Sequence, residues 1–163
     1  VIGPGGPLQH WGIGRWHGAG AVRLWSAGNN KLPFVLIDDV SDGLIRMAQA
    51  PQAIGQSFNL VGDIQLTARE YFDAIFEALG ARVKVKSGNP TLFWGFDAVK
   101  YVLKKHALRR HGVLRPSLMD WKSRAHFSPF NNAQSKEMLG WSPETNREEF
   151  IRKGIIEANL LGY

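Results

Sequence analysis

A four-residue apolar run, Phe34-Val35-Leu36-Ile37, leads without a loop into Asp38-Asp39 and then into a helical pattern that stops at Pro51. A short, partly β-branched run of this kind reads as a buried strand. Acids at its end read as a helix cap. Val40, Leu44, Ile45 and Ala48 then recur at helical spacing. A strand feeding directly into a helix is the repeating unit of an α/β fold.

The pattern continues downstream. Ser57-Phe58-Asn59-Leu60-Val61 is a second strand candidate. Thr67-Ala68-Arg69-Glu70 has the spacing of a capping box, and Tyr71, Phe72, Ile75 and Leu79 form an apolar stripe ended by Gly80. Residues 82–86 alternate, as an exposed strand does. After Pro90 a helix is predicted with Leu92, Phe93, Phe96, Val99 and Leu103 on one side and Lys100, Lys104 and Lys105 mostly elsewhere. Residues 109–126 read as basic and irregular. Ala133 to Leu139 reads as a short helix closed by Gly140, and Thr145 to Glu148 as a second capping box opening a last helix. Residues 1–33 are rich in Gly and Trp and read as a strand end followed by a long loop. Two or three strands are few for an independent sheet. Unpaired edges near Val1, Val35 and Phe58 are therefore expected to drive self-association.

Composition narrows the class. The 163 residues suit one domain with a real core, at 44% hydrophobic and 21% charged. No apolar run approaches a membrane span, and Val1-Ile2-Gly3-Pro4-Gly5-Gly6 lacks a signal-peptide pattern. A start at Val1 is expected to be a cut end. Cysteine is absent, which removes thiolate metal sites and points to a reducing cytoplasm; no metal ligand set is assigned. The net charge of +6 is uneven. Residues 82–126 carry eleven Lys and Arg against Asp97 and Asp120, a balance of +9. A basic segment of this kind suits either a solvated helix face or an anionic partner.

Three segments, in this order, carry a resemblance. Val1-Ile2-Gly3-Pro4-Gly5-Gly6 resembles the end of an R-P-x-x-V-Y-G-P strand. Residues 34–40 resemble an F-V-x-V-D-D-V turn. Residues 132–143 resemble an N-x-x-K-x-x-x-L-G-W-x-P segment. Between the last two, Phe58 to Gly62 and Leu66 to Glu70 fit a Y-N-L-G strand and its following helix. Together they resemble the extended short-chain dehydrogenases/reductases, the NAD-dependent epimerase/dehydratase family. The resemblance implies the C-terminal, substrate-binding portion of a Rossmann-type α/β protein. It divides the chain into a strand end and substrate loop (1–33), strand–helix units (34–89), a basic helical segment (90–126) and C-terminal helices (127–163).

It also implies an NAD- or NADP-dependent oxidoreductase, epimerase or dehydratase as the parent, and a missing N-terminal half as a partner. That family needs a Gly-rich phosphate turn after a strand and a Y-x-x-x-K pair. Gly12, Gly14 and Gly18 have the wrong spacing and no leading strand. Tyr101 and Lys105 have the right spacing, but they follow the 1–6 segment where the family's pair precedes it. No catalytic residue is assigned, and the chain alone is expected to be inactive and to hold no cofactor.

The substrate side is what remains. The resemblance puts the turn at Gly3 and Pro4 beside the nicotinamide and the stretch 8–26 over the substrate. His10, Trp11, Trp16 and Trp25 are the ring-bearing candidates there, and Lys31 the cationic one. In nucleotide-sugar members an Arg stands where this chain has Leu32, which shifts the expectation toward an apolar substrate. Otherwise the substrate is sugar-like. A competing reading is a basic module on an anionic membrane surface, formed by residues 90–115 through Lys100, Lys104, Lys105, Arg109 and Arg110, with Phe93, Trp94 and Phe96 at one end. Nucleic-acid binding is disfavoured, since no recognised motif accompanies the charge.

Overall fold

The computed structural model describes residues 1–10, 12–18, 20–126, 128–158 and 160. They form a mixed α/β fold. The stretch read as a loop contains a hairpin, β1 (Gly14–Trp16) and β2 (Ala21–Leu24), paired antiparallel. Glycine at position 14 permits this pairing, because a Cβ there would run into the Arg23 carbonyl. The hairpin escapes periodicity because each strand has only three or four residues. β3 (Lys84–Lys86), the expected alternating strand, lies parallel to β2 on its other edge. Val22 and Leu24 point into the core, so Arg15, Arg23 and Lys86 face outward.

The two other strand candidates are not regular strands. Ile2 forms a single parallel bridge to Leu36, with Ile2 N–H donating to Val35 O at 2.9 Å and Ile37 N–H to Ile2 O at 2.9 Å. Gly62 N–H donates to Phe34 O at 2.9 Å. Residues 1–3, 34–36 and 60–62 thus lie extended side by side, bonded too briefly to form a ladder. Residues 57–61 carry no strand pairing.

Helix α1 (Ile37–Gln49) begins two residues earlier than a cap at Asp38 would place it. Leu36 occupies the cap position without a side-chain bond, and Asp38 and Asp39 sit in the first turn, where negative charge suits the helix dipole. Its apolar stripe is not fully buried. Val40 packs inward with Val35, Leu139 and Trp141, but Leu44 and Ile45 are 54% and 56% exposed. α2 (Ala68–Leu79) has its capping box: Glu70 N–H donates to Thr67 Oγ1 at 3.2 Å, and Thr67 N–H to Glu70 Oε2 at 2.7 Å. It buries Tyr71, Phe72 and Ile75 in the main core, with Ile2, Leu24, Phe34, Leu66, Phe150 and Ile155.

α3 (Pro90–Val102) continues as a wider π-helical turn, Leu103–Ala107. Within its predicted stripe only Phe93 is buried, in a separate cluster with Trp25 and Trp121. Trp121 lies on α4 (Leu118–Ser123), a short helix within the stretch read as irregular, capped by Ser117. α5 (Ala133–Leu139) is as expected. α6 (Arg147–Ile151) is capped by Asn146 rather than Thr145: Asn146 Oδ1 accepts from Glu148 and Glu149 N–H at 2.8 and 3.2 Å. A second π-helical turn, Arg152–Ile156, follows. Among the described residues no helix is long and apolar enough to cross a membrane.

Candidate functional site

Gly3 and Pro4 enter a tight turn in which Gly6 N–H donates to Gly3 O at 2.9 Å. Pro at the second position and Gly5, at φ 76°, in the third match a type II turn. Gly3 is buried at φ 140°, and a Cβ on it would lie 2.7 Å from Ile37 Cγ2. Its backbone therefore lies directly on the start of α1, while Pro4 is exposed. The turn delivers the chain to Pro7, which lines a cleft of about 520 Å³ with Gln9, Arg15, Trp16 and Gly18. That volume suits a small molecule.

The predicted residues separate here. Trp16 lines the cleft, held by an indole N–H donated to His10 O at 3.2 Å and an edge contact with Phe72 at 5.7 Å. His10 supports it from behind, its ring between Phe34 at 5.3 Å and Tyr71 at 5.9 Å. His10 Nε2 and Tyr71 Oη are buried without hydrogen-bond partners among the described residues. Burial, with a smaller repulsion from the Val1 amino group, lowers the His10 pKa, and burial pushes the Tyr71 hydroxyl up. The imidazole is therefore neutral and packed, which suits a scaffold role better than a proton-transfer one.

Trp25 is not in the cleft. It is buried against Phe93 at 5.9 Å and Trp121 at 6.0 Å, with the Arg124 guanidinium 5.5 Å from its ring. Lys31 is exposed and bridges its backbone to Thr67. Trp11 lies outside the described residues. Leu32 is buried in the main core with its N–H donating to Leu66 O at 2.8 Å, so that position faces hydrocarbon. Arg15 is the cleft cation, and the sequence reading passed over it. The available signal was an Arg between Gly14 and the singled-out Trp16, visible only once the hairpin is recognised.

The late segment is a clamp. Asn132 Nδ2 donates to Val61 O at 2.6 Å and to Asp63 Oδ1 at 2.8 Å, and Lys136 Nζ meets both Asp63 oxygens at 2.7 and 2.6 Å. Partial burial of Asp63 opposes its ionisation, yet these bonds hold its carboxyl below the ordinary range. Trp141 Nε1 donates to Asp39 O at 2.8 Å, and Glu144 N–H to Asp39 Oδ2 at 3.0 Å. The Asp39 carboxyl is raised, chiefly by burial. Asp38 and Asp39 thus serve structure rather than paired acid–base chemistry.

The sites for a dinucleotide are poorly matched. Residues 12–18 belong to the hairpin, not to a strand–turn–helix cradle. The α1 N-terminus carries two acids, and the α2 N-terminus is closed by its own capping box. Tyr101 and Lys105 touch, Nζ to Oη at 3.2 Å, but on the outside of α3, in a cavity of about 440 Å³ that Arg109, Arg110 and His111 also line. Among the described residues no group of three or more His, Cys, Asp or Glu could hold a metal ion.

No family model matches the chain. Over 134 residues it is 27% identical to the UDP-glucose 4-epimerase of Mycolicibacterium smegmatis. The match covers 82% of this chain and 33% of that protein, so the chain spans about a third of the length of the curated relative it matches. This distant similarity is consistent with an NAD-dependent epimerase/dehydratase-type family.

Proposed function

We propose that this chain is the substrate-side portion of an NAD(P)-dependent oxidoreductase of the epimerase/dehydratase type. The observation that carries the reading is the path from the Gly3–Gly6 turn into the cleft of Pro7, Gln9, Arg15, Trp16 and Gly18. The similarity to an epimerase over most of the chain supports it. Three extended segments at 1–3, 34–36 and 60–62 support a Rossmann-type sheet margin. The cofactor would be bound chiefly outside this chain, with Gly3 and Pro4 approaching its nicotinamide end. Gln9 and Arg15 beside the Trp16 ring favour a sugar-like over a purely apolar substrate. Trp16 would stack on the ring, and Arg15 would hold an anionic group. Titrating isotope-labelled chain with UDP-glucose and with a steroid ketone tests this. Shifts of the Trp16 indole with UDP-glucose, lost in Arg15→Ala, are expected; no shift with either ligand would sink the substrate-cleft reading.

A second reading rests on α3. Leu92, Phe96 and Val99 are 62%, 63% and 59% exposed and share one face with exposed Leu103. Lys100 and Lys104 each follow a face residue by one position and so rim it. Of the three aromatics assigned to this surface, only Phe96 faces outward. Phe93 is core, and Trp94 donates its indole N–H to Pro116 O at 3.2 Å. Such a face suits the interface of an anionic bilayer, with Lys105, Arg109 and Arg110 adding charge. Co-sedimentation with phosphatidylglycerol vesicles, weakened by Phe96→Ser and by salt, is the expected result. Absence of binding at low salt removes this reading.

A further inference from the structure

The three strands carry their cations in direct cross-strand register. Arg15 lies opposite Arg23, and Arg23 lies opposite Lys86. The row crosses the whole sheet on its outer face. Lys84, two residues before Lys86 and opposite Ala21, adds a fourth cation on that face. His17, two residues after Arg15, adds an imidazole. His17, Ala21, Val22, Arg23, Lys84 and Lys86 line a groove of about 260 Å³.

Like charges directly opposite one another destabilise a sheet. A sheet surface ordinarily relieves them with interleaved acids. Here no such relief exists: among the described residues none of Arg15, Arg23, Lys84 or Lys86 forms an ion pair. In the other basic segment Lys100 pairs with Asp97 at 3.5 Å and Arg124 with Asp120 at 3.1 Å. Its cations without an ion pair among the described residues, Lys104, Lys105, Arg109 and Arg110, sit on a helix end and loop, not in cross-strand register. An arrangement that costs folding stability, concentrated on one groove, is the expected signature of a site for an anion.

We propose that the outer face of this sheet binds a compact phosphorylated small molecule carrying two or more linked phosphates. Adjacent strands stand about 4.8 Å apart, so the three-cation row spans roughly 10 Å. Two residues along β3 separate Lys84 from Lys86 by about 7 Å. A diphosphate or triphosphate spans that patch, whereas one phosphate engages only part of it. The two arginines offer forked donors to phosphate oxygens. Three features separate this ligand from larger polyanions. The groove is small, no Phe, Tyr or Trp lines it as a platform for bases, and no large exposed apolar residue lines it to receive acyl chains. Apart from Arg15, the cations of this site lie on the outer sheet face and do not line the Trp16 cleft. Arg15 touches both and is left unchanged in the test.

Calorimetric titration of the whole 163-residue chain with inorganic pyrophosphate and tripolyphosphate at low salt is decisive. One saturable site is expected, weakening as salt rises. Arg23→Gln and Lys86→Gln are each expected to weaken it about tenfold. The same variants should raise the melting temperature of the free chain, because each removes a like-charge repulsion. That rise separates loss of a ligand contact from loss of fold. Lys104→Gln, on the other basic segment, should leave binding unchanged. Absence of pyrophosphate binding, or binding indifferent to Arg23→Gln, overturns the proposal. So does tighter, Arg23-dependent binding of a single-stranded oligonucleotide or of phosphatidylglycerol vesicles, which would assign the face to a macromolecular surface.

Discussion

Single residues here set both geometry and pH response. Gly3 is the clearest geometric case, because it combines positive φ with backbone lying on Ile37. Gly3→Ala is expected to lower unfolding free energy by about 2 kcal/mol, read from urea midpoints. His10 is the clearest pH case. Its folded pKa is depressed while its unfolded value stays near 6.5. The unfolded chain therefore binds more protons as pH falls through about 6.5, and stability is lost on acidification. His10→Phe should flatten part of the fall in melting temperature between pH 8 and pH 6, a window clear of the carboxylates but shared with the Val1 amino group, whose pKa burial also lowers. An unchanged slope would show that the imidazole is solvated.

At the level of elements, local chemistry and packing divide the work. α2 is specified locally by its reciprocal cap, so Thr67→Ala should cost about 1 kcal/mol by urea denaturation. α2 was legible from its stripe and reciprocal cap, α5 from the Gly140 that closes it, and β3 from its alternation. The β1–β2 hairpin was not, since three-residue strands leave no period to detect. α1 and α3 were half legible: the helices formed, but their apolar residues do not all face the core. A helical stripe tells which residues share a face, and only the tertiary neighbours decide whether that face is covered. The cleft shows the same limit. Residue type singles out both Trp16, which lines the cleft, and Trp25, which is drawn into a core cluster, while Arg15 emerges only from strand pairing. The N-x-x-K-x-x-x-L-G-W-x-P segment was recognised by its pattern, but its work as a clamp on Asp63 and Asp39 needed coordinates.

Across the whole molecule, apolar surface stays in water on two helices. Ile37, Leu44 and Ile45 on α1, and the outer face of α3, add to an exposed Val1. Contiguous patches of this kind mark interaction surfaces or association hazards. The chain is expected to bind an apolar dye and to self-associate with rising concentration in light scattering. Leu44→Gln with Ile45→Gln should reduce both, with little change in stability, because neither side chain packs in the core. The parallel pairing of β2 with β3 has a further consequence, for the order of folding. Val22 meets Val85 only once the stretch of chain that carries α1 and α2 has closed back on itself. The hairpin can close locally and early, but the third strand must wait for a long loop to shut. Arg23 and Lys86 are thus brought together late, against their mutual repulsion, and added salt should speed that final closure.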